Sequence, residues 1–273
     1  MAFYFGTQGN LRSVKVPTTG LERISNSFRA SGVLTNGGGW ARSSVANHST
    51  WNMNWDYLNS EEYGDIREVY ESQNLIHFLS PDAMVRNALP PYIAQAGDAA
   101  LGGYRLVGYT STTAVAEVST IATGVTTGPT RTVRYSGITG ATRKSIWLPI
   151  PPGHTLHLRG LTSSSGGVQV TVGGVPLPLW SSGTTIPFIS IPSPAAHGAA
   201  LTLSAGSDIT IRWLQAKVLP TGQAVTWTEG WKPGLGHSGC RLDGDPTYTL
   251  YSSPQALDYG ALSLPLRETG AWE

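Results

Sequence analysis

Four consecutive residues, Gly236-His237-Ser238-Gly239, place a nucleophilic hydroxyl beside an imidazole, the pair of groups that a serine hydrolase uses. A nucleophile elbow requires glycine two residues before and two residues after the serine, at a turn from a strand into a helix. Cys240 stands at the second of these positions, and no helical pattern follows it. Short motifs of this kind often match by accident. The spacing therefore predicts a glycine-containing loop in which His237 bonds to backbone, and we predict no catalytic residue.

Two further groups resemble metal ligands without having the spacing that a metal needs. Asp243-Gly244-Asp245-Pro246 begins like a calcium loop, but Pro254 occupies the position where the closing glutamate is required. His154 and His157 are three residues apart, which places them on opposite faces of a strand. We therefore expect neither a metal site nor a cofactor in this chain.

The nine tryptophans raise the question of sugar binding, because a flat indole ring can stack on a pyranose. Trp180, at the edge of a Ser- and Gly-containing loop, and Trp147 are the two candidates for contact with a glycan. The alternative, packing in a core or a protein interface, is the commoner use of such rings. Trp213 continues the apolar alternation of Ile209 and Ile211, so that tryptophan is predicted to lie in a core.

Residues from about 101 to 222 are predicted to form strands and no helices. The predicted strands are Tyr104–Tyr109, Ala114–Ile121, Thr132–Tyr135, Ser145–Ile150, Thr155–Arg159, Val168–Val172, Thr185–Ile191, Ala200–Leu203 and Ile209–Val218. Gly, Pro and Ser clusters separate them, which is typical of a sandwich or a jelly roll. Because Leu156 and Leu158 alternate with His157 and Arg159, one face of this sheet is expected to be buried and the other wet.

The first hundred residues combine strands with one helix. Trp and Met alternate with polar residues over positions 51–56, which predicts a half-buried strand. Asn59-Ser60 followed by two glutamates marks the start of a helix over residues 60–73. The residues predicted to share one face of that helix are Ile66, Val69, Tyr70 and Gln73. A short apolar strand over 75–79 and a proline-containing loop follow.

Composition narrows the class of protein. Charged residues make up 13% of the chain, about half of the ~25% that is usual in soluble domains. The net charge of +1 argues against a large basic surface for nucleic acid. The single cysteine, Cys240, excludes an intramolecular disulfide and is predicted to be a buried, inert thiol. We expect neither a secretory signal nor a membrane-spanning segment.

Three segments carry a resemblance to known proteins. The order strand, helix, strand, then Ser80-Pro81-Asp82 and Asn87-Ala88-Leu89-Pro90-Pro91, resembles the first domain of siphophage distal tail and minor tail proteins. Residues 145–153 and 155–158 resemble the jelly-roll domains, similar to galectins and carbohydrate-binding modules, that are attached to distal tail proteins. Residues 227–240 and the closing 262–273 resemble the C-terminal part of minor tail proteins of actinobacterial phages.

This resemblance implies a mainly β fold in three parts. Residues 1–100 are expected to form a ring-forming β-sandwich or barrel-like domain with one helix. Residues 101–222 are expected to form a jelly-roll-like β-sandwich. Residues 223–273 are expected to return to the first domain or to a neighbouring subunit.

The implied function is structural. The chain is expected to be a non-enzymatic component of a virion, forming a ring, usually of six copies, through which DNA passes at the tail tip. Its implied partners are the tail tube protein, the tape measure protein and other tail-tip proteins, without specific binding of nucleic acid or insertion into a membrane. The residues expected to contact a neighbouring subunit are Pro81, Asp82, Asn87, Leu89 and Pro90.

Two other functions stay open. In the first, the jelly roll is a module that binds a glycan of the host cell wall. In the second, the chain hydrolyses a cell-wall polymer, although the sequence lacks a paired-carboxylate or Ser/His/Asp constellation for that chemistry.

Overall fold

The computed structural model of the chain describes residues 2–21, 24–33, 40–94, 114–115, 133–135, 144–164, 170–177, 188–203, 209–227, 230–237, 239–251 and 259–269. Antiparallel strands dominate these residues, so the predicted mainly β fold is confirmed. The described strands form open sheets, and no closed barrel occurs among them. The predicted strand Tyr104–Tyr109, most of Ala114–Ile121 and the candidate Trp180 lie outside the described residues.

The strands of the first hundred residues are β1 Phe3–Thr7, β2 Asn10–Val14, β3 Ile24–Val33, β4 Trp40–Leu58 and β5 His77–Leu79. The helices are α1 Ser60–Glu71, α2 Pro81–Arg86 and α3 Pro91–Ala94. The next strands are β6 Ala114–Val115, β7 Val133–Tyr135, β8 Lys144–Pro149, β9 His154–Ser164, β10 Val170–Val172 and β11 Val175–Pro176. The last strands are β12 Phe188–Pro192, β13 Gly198–Leu203, β14 Ile209–Pro220, β15 Cys240–Leu242, β16 Thr247–Tyr251 and β17 Tyr259–Glu268.

Helix α1 begins where the sequence predicts. Asn59 and Glu62 form a reciprocal capping box: the Asn59 side chain accepts from the Glu62 amide at 2.8 Å, and Glu62 accepts from the Asn59 amide at 2.9 Å. Ile66 and Val69 are buried, as expected for the inner face. The helix ends at Glu71, however, so Gln73 lies beyond it, in the left-handed region at φ 58°.

The prediction of one helix is incomplete. Helices α2 and α3 occupy the segment that was expected to be a loop. The Ser80 side chain caps α2 by accepting from the Ala83 amide at 3.2 Å, and Pro81 occupies a first-turn position where its missing amide costs nothing. The described helices are too short or too polar to cross a membrane.

The chain divides into two compact units, each assembled from separate parts of the sequence. Unit 1 comprises Met1–Val14, Leu75–Gly239 and Ala271–Glu273, and unit 2 comprises Lys15–Asn74 and Cys240–Gly270. This division does not follow the predicted limits at residues 100 and 222, because residues after Asn74 belong with the middle of the chain.

Unit 2 contains one antiparallel sheet with the strand order β15-β17-β4-β3. Strand β17 also pairs with β16. The alternation predicted over residues 51–56 is confirmed, since Trp51, Met53 and Trp55 are buried. Strand β17 carries the matching alternation, and its Leu264 lies opposite Met53. The closing strand of the chain thus pairs with a strand of the first hundred residues.

Cys240 is buried and reduced, as predicted.

Unit 1 contains a two-layer sandwich. Its sheets have the strand orders β12-β9-β14-β7-β6 and β11-β10-β13-β8, and a smaller sheet, β2-β1-β5, completes the unit. Leu156 and Leu158 of β9 are buried in the core, as the alternation predicts. The other core residues contributed by the two large sheets are Ile146, Leu148, Val172, Ile189, Ile191, Ala199, Leu201, Leu214, Ala216 and Val218.

Candidate functional site

The outer face of the sheet β12-β9-β14 carries a row of polar and aromatic side chains. His157 lies between Ser190 of β12 and Lys217 of β14, and the next pair along the strands is Arg159 with Gln215. The sequence predicts that this face is wet, but the structure buries it: Arg159 is 7% exposed, and His157 and Lys217 are buried too. The prediction fails here because aromatic side chains from other parts of unit 1 cover the sheet.

Trp213 is buried, as predicted, but it belongs to this covered face, which corrects the prediction that it continues the face of Ile209 and Ile211. The pairing of β14 with β9 shifts its register between Ile211 and Trp213. A bulge of this kind inserts one residue into one strand and so reverses which face the following side chains occupy. Trp213 therefore shares a face with Gln215 and Arg159, while Leu214 points into the core.

Arg159 is held by one amide and two indole rings. Its Nε and Nη2 donate to the Gln215 side-chain oxygen at 3.2 and 2.8 Å. Its guanidinium carbon lies 4.3 Å from the centre of the Trp227 ring and 5.5 Å from that of Trp213. Burial lowers the pKa of Arg159 to about 10, so the group is still charged at neutral pH. Among the described residues, no carboxylate forms an ion pair with it.

Trp227 connects Arg159 with a second cation. The Lys217 ammonium lies 5.3 Å from the centre of the Trp227 ring and donates to the Thr226 carbonyl oxygen at 2.9 Å. Phe188 makes an edge contact with Trp227 at 6.1 Å. A ring between two cations offers a negative face to each of them, which partly compensates the cost of their burial.

Polar atoms on this face lack partners. His157 Nδ1 lies 2.8 Å from the Ser190 hydroxyl, while its Nε2 is buried without a hydrogen bond. Within the described part of the chain, the indole nitrogens of Trp213 and Trp227 are likewise buried and unpaired. We call His157, Arg159, Trp213, Lys217 and Trp227 the Arg159 cluster. Chemically, the cluster offers hydrogen-bond donors and positive charge beside aromatic rings.

Of the two tryptophans predicted to contact a glycan, only Trp147 can be placed. It lies on β8, in the other sheet of the sandwich, and its ring is 4.4 Å from that of His77. It is partly exposed, and its indole nitrogen is buried without a hydrogen bond. The structure thus does not bring Trp147 into the Arg159 cluster.

The residues predicted to contact a neighbouring subunit fall into two groups. Pro81 and Asp82 lie in the first turn of α2, where exposed Asp82 pairs with Arg86 at 3.2 Å. Asn87 and Leu89 are 0% exposed, and Pro90 is buried. These last three side chains fill the interior of unit 1 and have no free surface for a second subunit, which corrects that prediction for them.

Asn87 uses all of its hydrogen-bonding capacity within unit 1. Its amide nitrogen donates to the carbonyl oxygens of Leu214 at 3.3 Å and Lys232 at 2.8 Å. Its oxygen accepts from the amides of Ala216 at 3.0 Å and Leu89 at 3.3 Å. One side chain therefore joins β14, its own segment and the stretch after Trp231.

His237, from the four residues that resemble a serine-hydrolase motif, is buried in unit 1. The Gly239 amide donates to His237 Nδ1 at 3.1 Å, and His237 Nε2 lies 3.0 Å from the Phe78 amide nitrogen and 3.1 Å from the Phe78 carbonyl oxygen. Backbone groups thus engage both ring nitrogens of His237. Ser238 lies outside the described residues.

The sequence pattern missed the Arg159 cluster for two reasons. The bulge before Trp213 leaves no signature in the sequence, and Trp227 comes from an irregular stretch that the strand pattern does not cover. The described residues contain no group of His, Cys, Asp and Glu side chains arranged for a metal ion. Comparison of the chain with protein-family models, with curated proteins and with solved structures found no match.

Proposed function

We propose that this chain is a structural subunit of a bacteriophage tail tip, of the distal or minor tail protein type. In that role it forms a ring that joins the tail tube to the adhesion apparatus and allows DNA to pass. The mainly β architecture supports the proposal, as does the pairing of the closing strand β17 with β4. The observation that carries it is an exposed edge in unit 2.

Strand β16 forms that edge. It pairs with β17, and the described residues provide no partner for its other side. Leu250 on this strand is 55% exposed, and Tyr251 beside it is exposed too. Tyr57, which is 67% exposed, lies with its ring 6.0 Å from that of Tyr251. Soluble proteins avoid apolar side chains on free strand edges, because such edges pair with other chains.

A second copy of the chain is the occupant that we propose for this edge. A ring uses heterologous contacts, in which one patch on a subunit meets a different patch on the next. The near-neutral net charge of +1 is compatible with a channel that lets DNA pass without holding it.

Sedimentation velocity and negative-stain microscopy of the purified chain test the proposal. We expect rings that Leu250→Lys disperses into monomers, because it replaces an exposed apolar side chain of the edge with a charge. The matched control, Thr249→Lys on the same strand, introduces the charge at another exposed position of β16 and should leave the rings assembled, because Leu250 is retained. A wild-type chain that stays monomeric at high concentration would falsify the proposal.

A second function, binding of a host-wall glycan, is favoured by the Arg159 cluster. Aromatic rings at a polar face are the usual means of holding a sugar, and Phe188 and Trp227 are both partly exposed there. A glycan array probed with the wild-type chain and with Trp227→Ala and Trp180→Ala tests this function. Binding that is lost in Trp227→Ala supports it, whereas an array without any signal contradicts it.

A further inference from the structure

We propose that the Arg159 cluster binds an oxyanion carried on a sugar, such as the carboxylate of a uronic acid or a sugar phosphate. The proposal rests on the glycan-binding function above and names the class of ligand. The covered face of β9 and β14 has buried hydrogen-bond donors for which the described residues provide no acceptor.

Three ring nitrogens of the cluster, those of Trp213 and Trp227 and Nε2 of His157, are buried without a hydrogen-bond partner. The indole nitrogens of Trp213 and Trp227 can only donate. His157 Nε2 is a donor when Nδ1 accepts from the Ser190 hydroxyl, 2.8 Å away. The one side-chain acceptor described beside Arg159, the Gln215 oxygen, already receives two of its hydrogen bonds. A ligand that fits this set must bring acceptors.

The charge of Arg159 also favours a ligand that brings an anionic acceptor. Arg159 is buried with a neutral amide and two rings as its described partners. Two cation–π contacts and two hydrogen bonds to a neutral amide compensate only part of the cost of burying this ion. An oxyanion would both neutralise the guanidinium and accept from it in the bidentate geometry that arginine favours.

The rim of the cluster is where a sugar could lie. Phe188, the residue of β12 opposite Arg159, is 43% exposed, and Ser190 is exposed as well. Trp227 is partly exposed beside them, in edge contact with Phe188. The anion would then reach toward Arg159, while the ring of the sugar packs on the aromatic side chains at the edge of the sheet.

Titrations of the indole N–H signals by NMR at constant ionic strength test the proposal, with Trp227→Phe used to assign its signal. The probes are glucuronate, glucose 6-phosphate, glucose and inorganic phosphate. We expect the two acid sugars to shift the Trp227 signal downfield in a saturable manner. Glucose should bind roughly tenfold or more weakly, since it lacks the charge-assisted hydrogen bonds.

Arg159→Gln should lose roughly tenfold or more of the affinity for the acid sugars, and Arg159→Lys should retain part of it because the charge persists. Arg86→Gln is the matched control: it removes an exposed cation of the same unit and should leave the affinity unchanged. If Arg159→Gln fails to fold, Trp227→Phe, which keeps a ring but removes a donor, should still weaken binding, and the Trp213 indole signal then measures the affinity.

Three outcomes would overturn the inference. If glucose binds as tightly as the acid sugars, the site does not recognise an oxyanion, but the glycan-binding function still stands. If inorganic phosphate binds as tightly as the acid sugars, the sugar contributes nothing to binding, and the site recognises the anion alone. A folded chain that binds none of the probes, on an array that still shows glycan binding, places the glycan site elsewhere.

Discussion

At the scale of single residues, two of the buried histidines of unit 1, His77 and His237, have different roles. His237 bonds to backbone through both ring nitrogens. His77 stacks on it at 5.9 Å and packs against Trp147, but its Nδ1 is buried without a hydrogen bond. Burial lowers the pKa of His77 to about 3, because the charged form is poorly solvated there. His77 therefore makes the stability of the fold depend on pH.

The sign of that dependence follows from the two pKa values. Between about pH 6.5 and 3 the unfolded chain binds a proton at His77 that the folded chain does not bind, so stability falls as the pH falls. The loss at pH 4 is on the order of 3 kcal/mol. We expect His77→Gln to flatten this slope in chemical denaturation from pH 7 to pH 4.

Leu79→Ala, in the same strand, is the control for that experiment. It removes a buried side chain without a titrating group, so it should lower the free energy of unfolding by a similar amount at every pH. An acid slope that is unchanged in His77→Gln would contradict the assignment to His77.

Asn87 permits a second prediction at this scale. Asn87→Ala leaves buried backbone groups of Leu214, Ala216 and Lys232 without this partner, and should cost on the order of 3 kcal/mol. Asn87→Asp should cost at least as much at pH 7, because it turns an oxygen toward two carbonyl groups. Urea denaturation measures both variants.

Asp82→Asn, an exposed change in α2, is the control and should alter stability by less than about 1 kcal/mol. If Asn87 instead served a contact between subunits, as the sequence suggested, Asn87→Ala would weaken ring formation and leave the stability of the subunit unchanged.

At the scale of elements, the stretch after Trp231 is fixed by its glycines. The Leu235 amide donates to the Asn87 carbonyl oxygen, and the Gly236 amide to that of Leu89, both at 2.9 Å. A Cβ atom on Gly236 would meet the carbonyl oxygen of Ala88, so the backbones lie too close for any other residue. The sequence predicts a glycine-containing loop, and the structure shows that Gly236 is needed there for close approach of two backbone segments.

Gly236→Ala should therefore lower the free energy of unfolding by about 2 kcal/mol or more, since backbone must move to make room. Gly64→Ala is the control with the opposite sign. Gly64 lies within α1 with open space around it, and alanine there should stabilise the fold by about 0.5–1 kcal/mol. Thermal denaturation measures the change in stability of both variants. A Gly236→Ala variant as stable as the wild type would contradict the close approach of the two backbone segments.

At the scale of the whole molecule, both compact units draw on distant parts of the sequence. Unit 2 takes its strand β17 from the end of the chain, and Leu262, Leu264 and Leu266 of that strand are buried. Unit 1 has its own core between the two large sheets. We therefore expect the two units to respond separately to the loss of a core side chain.

Leu264→Ala tests this expectation by hydrogen exchange. The substitution should cost about 2–5 kcal/mol, and the amides of β4 and β17 should exchange faster as a result. The amides of β9 and β14 should keep their protection. Ser263→Ala, at the neighbouring half-buried position, removes only the hydrogen bond from its hydroxyl to Asn52 and should have a much smaller effect on the exchange of β4 and β17. Faster exchange throughout the chain after Leu264→Ala would show one cooperative unit.

Features that depend on neighbours in the chain can be predicted from the sequence alone. Burial at Trp51, Met53 and Trp55, the capping box of α1 and the buried Leu156 and Leu158 all follow from a local period or a local hydrogen bond. The mainly β class follows from many such periods in succession. Each of these signals is readable because the interacting positions are a few residues apart.

The roles of the polar side chains, in contrast, depend on contacts between distant segments, which local patterns do not predict. A bulge moved Trp213 to the outer face, and Trp227 turned a face expected to be wet into a buried cluster around Arg159. Asn87 became an internal support through hydrogen bonds to residues 127 and 145 positions away. The physical reason is the same in each case: the free energy of a buried polar group depends on which distant segment comes to cover it.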